Sequence, residues 1–170
     1  MILLFPSRFL IVMGVSGCGK TTIGRLLSKR LCWDYYDADD FHPIENITKM
    51  ANGIPLTDAD REPWLDRLRH LITTCLTENH PGVLACSALK QKYRSHLIKD
   101  DLDVHVVYLQ GSFDLIWSRM SERSDHYMKP DMLQSQFNAL EEPTSGLVID
   151  IGKTTDEMCI EILSKIQSAK

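Results

Sequence analysis

The sequence predicts one α/β domain built around a parallel sheet, and two observations predict it. Short apolar runs suited to strands alternate along the chain with segments of helical periodicity. The first such run leads, through a complete phosphate-cradling loop, into the first helix. At 170 residues the chain is long enough for one domain with a sizeable core, and residues 1–170 are read as that domain.

The first strand is expected at Phe9–Met13, an apolar run after Arg8. Gly14-Val15-Ser16-Gly17-Cys18-Gly19-Lys20-Thr21 follows, filling every position of the pattern Gly-x-x-x-x-Gly-Lys-Thr. Glycines let this backbone curl and turn successive N–H groups toward an anion. The helix that begins at Lys20 adds the positive end of its dipole. Lys20 brings a cation to the β- and γ-phosphates, the Thr21 hydroxyl can ligate Mg²⁺, and Thr22 completes the nucleotide contacts. The loop therefore predicts a bound nucleoside triphosphate.

The first helix, Lys20–Leu31, places Ile23, Leu26, Leu27 and Leu31 on one face. A second strand is expected at Trp33–Tyr36. A long helix is expected at Asp58–Glu78, where Trp64, Leu65, Leu68, Leu71, Ile72 and Cys75 form a core stripe. Strands at Val83–Cys86, Val104–Leu109 and Leu147–Ile151 complete the sheet. They are separated by helices at Leu89–Ile98, Phe113–Arg123 and Lys129–Leu140, and a last helix spans Thr155–Gln167. Two polar stretches carry Gly or Pro punctuation and have no sheet role. Residues 40–57 suit a substrate-binding insertion, and residues 121–131 suit a mobile lid that excludes water.

Composition bounds the partners. With 19 Lys and Arg against 23 Asp and Glu the net charge is −4, so no global basic field argues for nucleic acid or an anionic membrane. Any anionic ligand must be held by a local cationic cluster. Cys18, Cys32, Cys75, Cys86 and Cys159 are scattered and odd in number, which argues against a disulfide scaffold or zinc site. Met1–Phe5 is apolar but stops at Pro6, too short for a span and without a secretory pattern. The expected setting is a reducing, cytoplasmic one. Cys18 lies near a helix N-terminus, where either a favoured thiolate or a small residue fitting the turn is a consistent reading.

Asp37-Ala38-Asp39-Asp40-Phe41-His42-Pro43 begins where the second strand should end. Ligands of open parallel sheets sit beyond the carboxyl ends of the strands, so these carboxylates should face the phosphate site. One of Asp37 and Asp39 can hold Mg²⁺ through water while the other accepts a hydroxyl proton from the substrate. Asp40 suits a helix cap, and His42 suits either a substrate contact or a structural hydrogen bond. The third strand ends in Cys86-Ser87-Ala88-Leu89-Lys90 and lacks the carboxylate a conventional ATPase carries there. That points to a small-molecule kinase rather than a motor or switch. Ser87, Lys90 and Arg94 offer a hydroxyl and two cations for a polar, anionic substrate.

These blocks resemble one family closely, the gluconate kinases (gluconokinases) of the P-loop kinase superfamily. The similarity runs through Met13–Thr21, Asp37–Pro43, Lys49-Met50, Gly53–Asp58, Asp60-Arg61 and Pro63–Leu65. It continues through Cys86–Lys90, Tyr93-Arg94, Ser118-Arg119, His126, Ser135-Gln136-Phe137 and Leu140-Glu141, nearly the whole chain in order. The resemblance implies ATP-dependent phosphorylation of D-gluconate at its 6-hydroxyl, giving 6-phosphogluconate for the pentose phosphate or a related pathway. It also implies a three-layer, nucleoside-monophosphate-kinase-like fold with a five-stranded parallel sheet, a helical lid and commonly a homodimer. Carried over, Lys20 and Thr21 serve phosphate and Mg²⁺, Asp37 joins the metal site, and Asp39 orients or deprotonates the attacking hydroxyl. His42, Lys49, Arg61, Ser87, Lys90 and Arg94 become contacts for the sugar acid. Arg119, Arg123 and His126 belong to the lid edge, Arg119 toward the nucleotide, Arg123 toward the transferring phosphoryl and His126 toward the substrate. Cys18 departs from the family, which usually has Ser there. Two other readings fit the fold: a kinase for shikimate or a nucleoside monophosphate, and a regulatory module that binds nucleotide without catalysis.

Overall fold

In the computed structural model, which describes residues 8–99, 103–122 and 130–168, five parallel strands form one sheet. They are β1 (Phe9–Met13), β2 (Asp34–Asp37), β3 (Gly82–Ala85), β4 (Val104–Gln110) and β5 (Leu147–Asp150), in the order β2-β3-β1-β4-β5. The central strand β1 pairs with β3 and β4, and all five of its residues are fully buried. A strand covered on both faces must be apolar on both, which is why β1 reads as an unbroken hydrophobic run rather than an alternation.

Successive β1 side chains enter different cores. Leu10 and Val12 point into a cluster with Ile23 and Leu27 of α1 (Lys20–Leu31), Ile116 of α5 (Phe113–Ser121), Leu133 of α6 (Pro130–Ala139) and Ile162 of α7 (Thr155–Ser168). Phe9, Ile11 and Met13 point the other way, against Trp64, Leu65 and Leu68 of α3 (Asp58–Thr77) and Leu97 of α4 (Gln91–Ile98). Helices thus cover both faces, giving the expected three layers. The five strands and six of the helices fall where hydrophobic periodicity places them, within one or two residues at most ends.

The polar stretch at residues 40–57 holds more structure than its composition suggests. A 3-10 turn spans Ala38–Phe41 and an additional helix, α2, spans Ile44–Ala51. Its amphipathicity is inverted. Ile44, Ile47 and Met50 face solvent at 69%, 46% and 44% exposure, whereas Asn46 is buried. The Asn46 amide donates to Asp60 O at 2.8 Å and lies 3.4 Å from His42 Nδ1, so polar contacts seat this helix. The start of α3 is a capping box in which Thr57 Oγ1 accepts from the Asp60 N–H and the Asp60 carboxylate accepts from the Thr57 N–H.

Helix α4 starts at Gln91 rather than Leu89. The segment between β3 and α4 is held open by Arg94, whose guanidinium donates to Ala88 O, Leu89 O and Glu141 O at 2.8, 3.0 and 2.7 Å. Ala88 takes a positive φ of 41° in this bend. Of the expected lid, residues 123–129 lie outside the described residues, and with them Arg123 and His126.

Candidate active site

The loop after β1 lies at the carboxyl edge of the sheet and bends where its glycines permit. Gly17 has φ 80°, and a Cβ there would meet Met120 Sδ at 2.5 Å; Gly14 would meet Cys18 Sγ at 2.7 Å. Both positions combine a left-handed backbone with a close approach, so only glycine fits. Lys20 Nζ donates to the carbonyls of Gly14 and Val15 at 3.0 and 2.9 Å, which holds the ammonium across the loop. Cys18 is buried, and burial pushes its thiol up from the ordinary value. Of the two readings of Cys18, the structure supports the residue that fits the turn.

A cleft of about 410 Å³ opens beside the loop, bordered by Lys20, Thr21, Asp37, Asp39, Ser87 and Gln136. The register of β2 against β3 sets Asp37 opposite Ala85, which puts its carboxylate at the edge where the loop turns. Asp37 accepts from the Asp39 N–H at 3.1 Å and from the Tyr35 hydroxyl at 3.2 Å, so it caps the 3-10 turn and is fixed in place. Asp39 is two residues beyond this cap. Burial raises its carboxyl above the usual range, and the nearby Asp37 charge raises it further, while His42 and Lys20 oppose both. Two neighbouring carboxylates with different environments suit two roles, one ligand and one proton acceptor.

The turn bearing Asp39 is anchored from α3. Trp64 Nε1 donates to Ala38 O at 2.7 Å, and its ring stacks on His42 with centroids 4.7 Å apart and planes 8° from parallel. His42 therefore sits in an apolar stack that lowers its pKa through burial. By its spacing Trp64 reads as a member of the α3 core stripe. Its indole N–H, which needs a partner when buried, was the one signal of a second role.

A second cleft, of about 240 Å³, continues from the first and shares Ser87 and Gln136 with it. Arg61, Lys90, Trp64 and Tyr93 also line it, with Leu89 and Ala139. One carboxylate organises the cations: Asp58 accepts from Lys92 at 2.5 Å, from Lys90 at 3.0 Å and from Tyr93, with Arg61 at 3.9 Å. The hydrogen bonds from Lys92, Tyr93 and Lys90 hold the Asp58 carboxyl well below its usual range. Of these cations Arg61 and Lys90 line the cleft, which gives its wall a positive charge suited to a small acid.

Two of the expected substrate contacts have other work. Arg94 is buried at 2% exposure, and its guanidinium is occupied by carbonyls and Gln91 Oε1. It shapes the Ser87–Lys90 segment from behind and does not border either cleft. Lys49 pairs with Asp60 at 2.6 Å and staples α2 to the start of α3. This pairing, with the Thr57 capping bonds, lowers the Asp60 carboxyl to about 2. On the far side of the loop a third cleft, about 510 Å³, is bordered by Gly19, Thr22, Arg119 and Lys153–Thr155. Arg119 donates there to Ile151 O at 2.8 Å. Asp58, Tyr93 and Gln136 lie in the blocks that resemble the family, but the sequence assigns them no role, because nothing local marks a residue whose partners lie on other elements.

Comparison with known proteins places the chain among kinases. A family model described as shikimate kinase matches residues 16–167. A probable gluconokinase of Mus musculus is 42% identical over 178 residues, which cover 93% of this chain and 97% of that protein. The thermosensitive gluconokinase of Escherichia coli (strain K12) is 46% identical over 133 residues, 78% of this chain and 71% of that one. Among solved structures, a gluconokinase from Sinorhizobium meliloti 1021 superposes with a TM-score of 0.84 at 36% identity, covering 96% of this chain and 93% of the other.

Proposed function

Because this chain belongs to the gluconokinase family of P-loop kinases, we propose that it transfers the γ-phosphoryl group of ATP to the 6-hydroxyl of D-gluconate. The products are 6-phospho-D-gluconate and ADP. The observation that carries this reading is the pair of adjoining clefts. One holds the phosphate loop with Lys20 and two carboxylates, the other is a small cationic cleft, and Ser87 and Gln136 border both. A phosphoryl donor in the first and a sugar acid in the second meet at that shared wall.

The loop N–H groups and Lys20 hold the terminal phosphates and stabilise charge that builds on them during transfer. Asp39 receives the proton of the 6-hydroxyl as its oxygen attacks phosphorus and the bond to the ADP oxygen breaks. Arg61 and Lys90 hold the gluconate carboxylate, which orients the far end of the chain toward Asp39. Ser87 donates to a sugar hydroxyl between them, and His42 closes the wall behind Asp39. Thr21 and Asp37 suit Mg²⁺: both present hard oxygens to one cleft, and this ion binds through one or two protein oxygens, phosphates and water. When bound it neutralises phosphate charge. On the far side of the loop, Thr22 and Arg119 border the place for the rest of the nucleotide. Arg123 and His126 belong to the same proposal as lid residues.

The cytoplasmic setting and a homodimer complete the proposal, the first supported by the unpaired cysteines and the second by family resemblance alone. Among the described residues no helix is long and apolar enough to cross a membrane. The test is ADP formation from Mg-ATP with a panel of sugar acids, shikimate and AMP. D-Gluconate should be turned over far faster than its epimers, shikimate or AMP. Turnover on shikimate or AMP with none on gluconate would overturn the reading.

A further inference from the structure

Gln136 stands at the junction of the two clefts and has one end tied down. Its Oε1 accepts the Ser16 N–H of the phosphate loop at 2.7 Å. A backbone N–H can only donate, so the atom facing it must be the carboxamide oxygen. The orientation of the amide follows, with the NH₂ group on the opposite side. Among the described residues that NH₂ donates to no protein acceptor, although the side chain borders both clefts. The neighbouring polar groups at this wall are Ser87, Lys20, Asp37 and Asp39. A donor whose direction is fixed by its own acceptor is preorganised for a ligand oxygen.

From this geometry we infer that Gln136 is an acceptor-binding residue: its oxygen is held by the phosphate loop, and its NH₂ donates to a hydroxyl oxygen of the bound sugar acid. It rests on the function proposed above. The arrangement ties acceptor recognition directly to the loop that holds the donor. It also distinguishes Gln136 from Arg61 and Lys90, which offer charge to the carboxylate end. Gln136 is neutral and reads hydroxyls, so it contributes to selecting a polyhydroxylated acid over a simple one.

Two variants separate this role from one of merely supporting the loop. Gln136→Glu keeps an oxygen for the Ser16 N–H but, ionised, has no donor; Gln136→Ala loses both. Both should raise KM for the sugar acid by at least about tenfold. ADP binding, measured by calorimetry without acceptor, should stay within about threefold of wild type. If Gln136→Glu retains a KM within twofold of wild type, or if Gln136→Ala weakens ADP as much as the sugar acid, the inference is wrong. If Gln136→Glu does not fold, as read by circular dichroism, Gln136→Met is judged by the same split between acceptor and ADP. Wild-type turnover on D-gluconate is measured first. If the wild type prefers another sugar acid, the function is revised and the variants are read on that acid instead.

Discussion

In the mechanism proposed above, Asp39 sets the acid side of the reaction's pH range. Its carboxyl is raised by burial and then by the Asp37 charge, and it must be ionised to take the hydroxyl proton. Activity should therefore fall as pH drops through a value above the ordinary carboxylate range. Asp37→Asn removes a charge that raises Asp39, so the acid limb of the kcat profile should move to lower pH even as the maximum falls. Asp39→Asn should lower kcat by about 10²–10⁴ while ATP binding changes little. A near-normal kcat in that variant would remove Asp39 from the proton transfer. Arg94 illustrates the opposite case, a cation whose work is structural. Arg94→Met leaves the Ala88 and Glu141 carbonyls without their donor and Leu89 O with the Glu141 N–H alone, which should cost about 1–3 kcal/mol of stability in chemical denaturation. KM for gluconate in the folded fraction should change far less than in Arg61 or Lys90 variants.

At the scale of elements, the site depends on α3 holding a turn that precedes it in sequence. The indole N–H of Trp64 reaches Ala38 O across the packing of α3 on the 3-10 turn. Trp64→Phe keeps a ring against His42 but removes this hydrogen bond. We expect a loss of about 1 kcal/mol in stability and a drop of about tenfold in kcat, because Asp39 is carried on the released turn. Unchanged kcat with the same loss of stability would show that the turn is held by other contacts. Helix α2 explains why residues 40–57 were hard to read. Ile44, Ile47 and Met50 stand at helical spacing, but α2 turns that stripe to solvent and buries Asn46, so the pattern misstates which face packs. Its contacts run to Asp60 and His42, which no local pattern announces.

For the molecule as a whole, the two cores enclose four of the five cysteines, and only Cys32 is exposed. An aromatic disulfide reagent should titrate one thiol rapidly in the native protein and all five after denaturation. Fast loss of activity through Cys18 would contradict its burial beneath the loop. Cys86, fully buried and pushed up to about 12 by burial, should be among the protected thiols. Local pattern was enough for the sheet, six of the helices and the phosphate loop, because hydrophobic period and glycine placement are local consequences of backbone geometry. It also brought Lys20, Thr21, Asp37, Asp39 and Ser87 to one edge, since that edge follows from strand direction. How the remaining polar groups divide depends on packing between elements far apart in the chain. Arg94 turns inward to carbonyls, Lys49 is taken by Asp60, Asp58 gathers the cations of the second cleft, and Gln136 joins that cleft to the loop. A charge or an amide carries no mark of its partner in sequence. Its role is settled by whichever acceptor the packing of distant elements places within hydrogen-bond reach.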